Sequence, residues 1–273
     1  MFVFHELHKK ISEPPVLAEK DQFLIKLAES EAEIEKAFRL RYRIFNLEQG
    51  KGLESANDAG IDKDEFDKYC MHLIVVEKKS GEVVGTYRIH FGEVARSAIG
   101  FYSAREYEIK GLENIARESI EVGRSCVSPE YRTGSVVALL WRGINELLFR
   151  SKMSYLFGCV SLETTSPADG WALFEYFKEN NGVSELLSSH PTEKFILQRP
   201  QDDEVKKRAA DRKHISNIIP PLFKGYLRLG AKICGEPARD DEFGTIDFFI
   251  ILNLNEIPQR YYKHFNADKE GQT

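Results

Sequence analysis

The chain lacks any run of about 18 consecutive apolar residues, the length a membrane-spanning helix requires. Its opening, Met1-Phe-Val-Phe-His5, passes into charged residues without the apolar core of a secretory signal. Cysteine is sparse: Cys70, Cys126, Cys159 and Cys234 show no CxxC spacing and too low a density for a disulfide scaffold. Free thiols in a reducing cytoplasm are therefore expected. A basic excess is also missing, because 38 Lys and Arg face 43 Asp and Glu for a net charge of -5, which argues against general binding of nucleic acid. EF-hand spacing is absent, no repeat or low-complexity tract interrupts the chain, and no metal is expected.

What is present is enough apolar residue, 42% of 273, for one large core. The expected organisation is an N-terminal extension over residues 1–20, a single domain over 21–265 and a flexible tail over 266–273. Local charge departs from the acidic total. Between Lys194 and Arg239 eleven Lys and Arg stand against five Asp and Glu. Such a stretch suits an acidic protein partner or anionic headgroups, with an ordinary solvated surface as the alternative.

Hydrophobic periodicity gives the elements. Phe23–Leu27 reads as a first strand, and Ser30 with Glu33 forms a capping-box signature before a helix carrying Ile34, Phe38, Tyr42 and Phe45 on one face. Residues 47–63 are polar and contain glycine, the pattern of a mobile loop over a site. Leu73–Glu77 and Val83–Phe91 form a hairpin across Lys79-Ser-Gly81, and residues 101–117 are irregular by pattern. Tyr155–Leu162 and Ile246–Leu254 read as strands, Pro167 opens a helix ended by Asn180-Asn-Gly182, and residues 202–214 read as an exposed charged connection or helix. This order predicts an α+β fold with a mixed, mostly antiparallel central sheet and helices on both faces.

The densest chemical signal lies between Ser119 and Phe149. Ile120–Val127 alternates imperfectly, as a strand with one buried and one active face would, and Gly123 within it marks a bulge or a close approach. After Pro129 the residues Val136, Leu139, Leu140, Ile144, Leu147 and Leu148 recur at helical spacing. Arg132 and Gly134 thus fall at a helix N-terminus, where free amides suit an anion.

Val127-Ser-Pro129-Glu-Tyr131-Arg132-Thr-Gly134 resembles the cofactor turn of the GNAT superfamily of N-acyltransferases, which binds the coenzyme A pyrophosphate. Here one residue, not two, separates Arg132 from Gly134. A shortened loop of that kind favours a donor without the nucleotide. The sequence Leu40-Arg41-Tyr42-Arg43-Ile44-Phe45, then Asp62, Asp64, Phe66 and Asp67, then Gly85-Thr86-Tyr87-Arg88, precedes Glu121-Val-Gly-Arg124. This order is similar to that of the acyl-carrier-protein-dependent branch of the superfamily, which includes the ornithine lipid acyltransferases and is related to the acyl-homoserine lactone synthases. Ile219–Ala231, Cys234-Gly-Glu-Pro237 and Asp247-Phe-Phe-Ile extend the resemblance, which runs from Phe23 to Phe265. Some members of the group carry the label haemolysin.

The resemblance implies transfer of a long-chain, 3-hydroxylated or plain, acyl group from acyl carrier protein to the α-amine of an amino acid, ornithine first. The co-substrate is acyl-phosphopantetheine on the carrier, and no tightly bound cofactor is expected. Glu121 is the expected proton acceptor, directly or through water, with Arg124 orienting that carboxylate or the substrate; a structural ion pair between the two is the alternative. Val122, Gly123, Val127, Arg132 and Gly134 would hold the acyl-pantetheine arm. Arg43 and Phe45 would line the acyl or amine pocket, and Asp62, Asp64 and Asp67 would recognise a cationic acceptor or simply form an acidic loop. Arg88 would tie that loop in place or bind a substrate carboxylate. Cys126 and Ser161 are further substrate-side candidates, Ser161 for protonating the leaving thiolate. Cys126 lacks a local His or Asn partner for nucleophilic catalysis. Rival readings are a coenzyme-A-dependent acetyltransferase and a non-catalytic, membrane-active protein. A lipid product would also suit peripheral membrane contact through Pro220 to Lys232.

Overall fold

The computed structural model describes residues 14–132 and 134–257, so residues 1–13 of the expected N-terminal extension, residues 258–265 of the expected domain and the whole of the expected tail lie outside the described residues. In chain order the strands are β1 (Val16–Lys20), β2 (Phe23–Leu27), β3 (Met71–Glu77), β4 (Glu82–Phe91), β5 (Tyr107–Lys110), β6 (Ser119–Val127), β7 (Tyr155–Leu162), β8 (Ser188–Pro191), β9 (Lys232–Ile233), β10 (Ala238–Asp240) and β11 (Thr245–Asn253). The principal helices are α1 (Glu31–Tyr42), α2 (Ser135–Ser151), α3 (Pro167–Glu179), α4 (Asp202–Ala210), α5 (Arg212–Ile218) and α6 (Pro221–Leu229). The fold is mixed α and β with a largely antiparallel central sheet, as expected. The chain forms two compact units, residues 14–99 with 120–153, and residues 100–119 with 154–257.

In the first unit the strand order is β1, β2, β3, β4, β6, and each neighbouring pair is antiparallel. Helix α1 starts where Ser30 accepts the Glu33 amide, while the Glu33 carboxylate turns back to the Glu29 amide rather than to Ser30. The cap is therefore a shifted capping box. Ala37, Leu40 and Ile44 pack against Ile74 and Cys126 on one face of the sheet. On the other face lies α2, whose Val136 and Leu140 sit so close over Gly85 that a Cβ there would come within 2.8 Å of Val136 Cγ1. The buried stripe of α1 is Ala37, Phe38, Leu40 and Arg41, rotated from the predicted one, and Tyr42 and Phe45 are only partly buried.

Residues 47–63 depart from the expected open loop. Helix α1 runs on as a π-helical segment, Arg43–Glu48, and a short helical turn covers Ala56–Ala59. Asp62 beyond them is fully buried. Charge pairing explains the difference, because Glu48 and Asp62 at the two ends of this polar segment pair with Arg132 and Arg41 inside the unit.

In the second unit β7 and β11 pair over eight residues each, from Leu162 against Ile246 to Tyr155 against Asn253. Strands β9 and β10 both pair with β11, and β5 with β8 makes a separate two-stranded sheet. Strand β5 falls within residues 101–117, which the pattern leaves irregular; four residues with a single buried Tyr107 show no periodicity to detect. Residues 202–214 form two helices, tied to α3 because Asp169 receives both Arg208 Nη1 at 2.7 Å and His214 Nε2 at 2.8 Å. Phe223, Tyr226 and Leu229 of α6 are buried, so the apolar face of the Pro220 to Lys232 segment turns inward. Among the described residues no helix is long and apolar enough to cross a membrane.

Candidate active site

The polar cluster of the first unit sits on the face of β3, β4 and β6 that the strand alternation shares with His72, Arg88, His90, Glu121 and Gly123. Register places Arg88 between His72 and Gly123, and His90 beside Glu121. Because side chains alternate along a strand, residues two apart point the same way, and this face collects its charges in rows. Glu121 is buried, with its carboxylate 3.6 Å from His90 Nδ1. Phe66 packs edge-on to the His90 ring with centroids 6.3 Å apart, and Arg88 stacks over Phe66.

Beside this row lies a network of three arginines and three aspartates. Arg41, buried in the apolar stripe of α1, donates to Asp62 from Nε at 2.6 Å and to Asp67 from Nη1 and Nη2 at 2.7 and 3.1 Å. Arg88 donates to Asp64 at 2.6 Å. Arg124 reaches Asp64 at 3.4 Å and approaches Asp62 at 3.9 Å, so its contacts here are the loosest of the three arginines. Asp67 also accepts the Asp64 amide, and Asp64 accepts that of Phe66, which winds residues 62–67 around the guanidinium groups. Burial by itself would raise the Asp64 and Asp67 carboxyls, but Arg88 and Arg124 on Asp64, and Arg41 on Asp67, outweigh it and hold both below the usual carboxylate range. The Asp62, Asp64 and Asp67 carboxylates thus face inward onto arginines, and Arg88 ties their loop to β4.

Gly123 does not itself form the bulge. The register slips between Gly123 and Cys126, where Arg124 and Ser125 together oppose Tyr87. Arg124 adopts φ of +49°, a left-handed conformation uncommon for a residue with a side chain. The extra residue frees main-chain groups from the ladder at this point. Gly123 stands next to it with nothing within 4 Å of the place a Cβ would occupy, so the sheet face is open there. Val122 and Val127 are buried on either side of the bulge.

Cys126 lies in the core with Ala37, Leu40 and Ile44, and burial pushes its thiol up to about 12, the wrong direction for a nucleophile. Phe45 is packed against the same core. Arg43 donates to Ser128 Oγ at 2.9 Å. Arg132 holds Glu48 with two hydrogen bonds and the Val127 carbonyl with a third. Gly134, at φ of +96°, caps α2 without a side chain. Ser161 belongs to the second unit, where it is exposed and pairs in register with Asp247. Among the described residues one set of buried carboxylates has oxygens within 4.8 Å of one another, Glu106, Asp240 and Asp247 of the second unit.

His90, His72 and Arg41 escape a motif-based reading. Alternation with Arg88 would have put His90 on the polar face, whereas His72 lies on β3 and reaches that face through the register of β3 with β4. Helical spacing from Phe38 would have put Arg41 in the core, where a charge demands an acidic partner.

Residues 40–142 match the acetyltransferase (GNAT) domain. The chain is 37% identical over 89% of its length, and 89% of the relative's, to an L-ornithine N(alpha)-acyltransferase of Brucella abortus (strain 2308). It is 34% identical to an L-ornithine N(alpha)-acyltransferase of Agrobacterium fabrum over 90% of this chain and 85% of that one. The chain belongs to this family of GNAT acyltransferases. Among solved structures, a coenzyme-A-dependent acyl-homoserine lactone synthase, BjaI, is similar with a TM-score of 0.48 and 15% identity, over 87% of this chain and 82% of that one.

Proposed function

We propose that the protein moves a long-chain fatty acyl group from the phosphopantetheine arm of acyl carrier protein to the α-amine of L-ornithine, giving an N-acyl amino acid. The observation that carries this reading is the 37% identity, spread over nine-tenths of both chains, to a relative named for that acceptor. The short Arg132–Gly134 turn supports the carrier-bound donor, since it has one residue fewer than a pyrophosphate-binding loop of the superfamily.

Chemistry assigns the parts. The neutral amine attacks the thioester carbonyl carbon, the carbonyl oxygen takes the negative charge, and the C–S bond then breaks. The amine loses one proton and the departing thiolate gains one. Glu121 receives the amine proton, directly or through a water, because its carboxylate lies on the sheet face it shares with Gly123, 3.6 Å from His90 Nδ1. The bulge at Arg124 and Ser125 supplies main-chain N–H groups for the oxyanion. Gly123 leaves room for the arm to lie along β6 as an added strand. Arg124, the loosest arginine of the network, orients the acceptor carboxylate. The arm's phosphate reaches Arg132 and the first amides of α2.

The test is mass spectrometry of lipids from a host expressing the protein beside a Glu121→Gln copy, with several amino acids supplied. N-acyl ornithine in the first culture alone is the expected result, with turnover of the variant reduced by about 10²–10⁴. Acetylation of an amine from acetyl-coenzyme A, with no long-chain product, would replace this reading with a coenzyme-A-dependent acetyltransferase. A full yield from the variant would remove Glu121 from the reaction.

A further inference from the structure

The π-helical segment Arg43–Glu48 is fastened at both ends to the turn after β6. At its start Arg43 donates to Ser128 Oγ at 2.9 Å, and the Ser128 hydroxyl donates to the Glu130 carboxylate. At its end the Glu48 carboxylate accepts Arg132 Nη1 at 2.6 Å and Nη2 at 2.9 Å. Arg132 Nε is already committed to the Val127 carbonyl at 3.0 Å, which fixes the plane of the guanidinium. Nη1 and Nη2 each point one N–H at Glu48, and together they form a fork. A fork of that kind grips a carboxylate or a phosphate by the same two-oxygen geometry.

We propose that Glu48 competes with the donor for Arg132: its carboxylate occupies, on Arg132, the place that the phosphate of the pantetheine arm must take, so that the phosphate binds only by displacing it and adds little to the choice of donor. The inference rests on the reading above that the arm runs to Arg132. Two features make displacement practicable. The pair is half-exposed, with 43% of the Arg132 side chain and 36% of that of Glu48 open to solvent, so water and salt weaken it. The segment that carries Glu48 is π-helical, with wider turns than the α-helix before it, a form that occurs in short pieces and often at functional sites. Its Leu47 is 64% exposed, so no apolar packing at that residue resists a shift.

Competition of this kind has a specific consequence. The gain from the phosphate is offset by the loss of the Glu48 pair, so a phosphorylated arm and its dephosphorylated counterpart bind nearly alike. Discrimination among donors then falls to the thioester arm and to the carrier that presents it.

Calorimetric titration of 4′-phosphopantetheine and of pantetheine into the full chain tests this without any transfer step. Glu48→Gln removes the competing charge while keeping the side chain's length. Phosphopantetheine is expected to bind about fivefold more tightly to Glu48→Gln than to the natural protein, the equivalent of a half-exposed ion pair. Pantetheine binding is expected to stay unchanged, and adding Arg132→Gln should abolish the gain. Equal or weaker phosphopantetheine binding by Glu48→Gln overturns the proposal, and so does a gain that survives Arg132→Gln. Because acyl transfer is assayed separately, an enzyme that turns over normally but shows no Glu48 effect loses this inference alone. An enzyme that shows the binding effect but transfers to another amine loses only the acceptor.

Discussion

Arg41 offers the sharpest energetic test, because it is a guanidinium in the apolar stripe of a helix, 1% exposed, with two aspartates wrapped around it. Arg41→Met keeps most of the volume and the helix propensity but strands the carboxylates of Asp62 and Asp67 with no other cation at comparable distance; Arg88 is 3.6 Å from Asp67 and Arg124 is 3.9 Å from Asp62. Breaking a buried pair by removing one partner costs about 3–5 kcal/mol. In a chain of this size that corresponds to a melting point lower by about 10 °C. The control is Arg39→Met, two residues back on the same helix and on its exposed side, whose pair with Glu35 has both side chains more than half exposed. It should cost no more than about 0.5 kcal/mol. Urea denaturation with the m-value monitored separates a change in stability from a change in the unfolded state. The triple variant Arg41→Met, Asp62→Asn, Asp67→Asn should recover most of the loss, since it removes the orphaned charges along with the cation. A loss below about 1 kcal/mol for Arg41→Met alone, indistinguishable from the surface control, would refute the view that these carboxylates depend on Arg41.

Burial depresses His72 to about 4, so the folded protein keeps it neutral while the unfolded chain takes up a proton below the ordinary value of 6.5. Stability is therefore expected to fall as pH drops from about 6.5 to 4, by up to about 3 kcal/mol, and His72→Gln should flatten that part of a urea-midpoint profile. Cys126 has its thiol raised to about 12, so it should resist a thiol reagent at pH 8 until denaturant is added, and Cys126→Ser should retain turnover. Gly123→Ala places its methyl where no atom of the described residues lies within 4 Å, so the melting temperature should hold while acyl transfer falls at least about tenfold by occlusion of the arm. Gly85→Ala should do the opposite, costing about 1–3 kcal/mol of stability because its new methyl would meet Val136 at 2.8 Å.

Much of the scaffold is legible in residue order alone. Phe23–Leu27 and Tyr155–Leu162 are strands with the bounds that pattern reading assigns, because each has a run of apolar residues of strand length. Helix α2 follows from Val136, Leu139, Leu140, Ile144, Leu147 and Leu148, whose spacing requires one buried stripe. The family is legible as well, through the resemblance carried by Leu40–Phe45, Asp62–Asp67, Gly85–Arg88, Glu121–Arg124 and the Arg132–Gly134 turn. Short pieces are not legible: β5 has four residues and its partner β8 another four, too few to set an alternation apart from chance.

What the tertiary structure alone decided is where each charge goes. An aspartate in a polar loop reads as solvated, yet Asp62 is buried because Arg41, 21 positions earlier, turns its guanidinium into the core to meet it. Glycine at 123 signals a bulge, but the slipped residues are Arg124 and Ser125, since register is set by the pairing of two strands and not by either one. Arg132 reads as an anion ligand, and in the folded chain it holds Glu48 from 84 residues away. Local sequence determines elements because periodicity is a property of one segment. Partners of charged groups are determined by folding, because an ion pair needs two segments brought within a few ångströms, and no spacing along the chain encodes that distance.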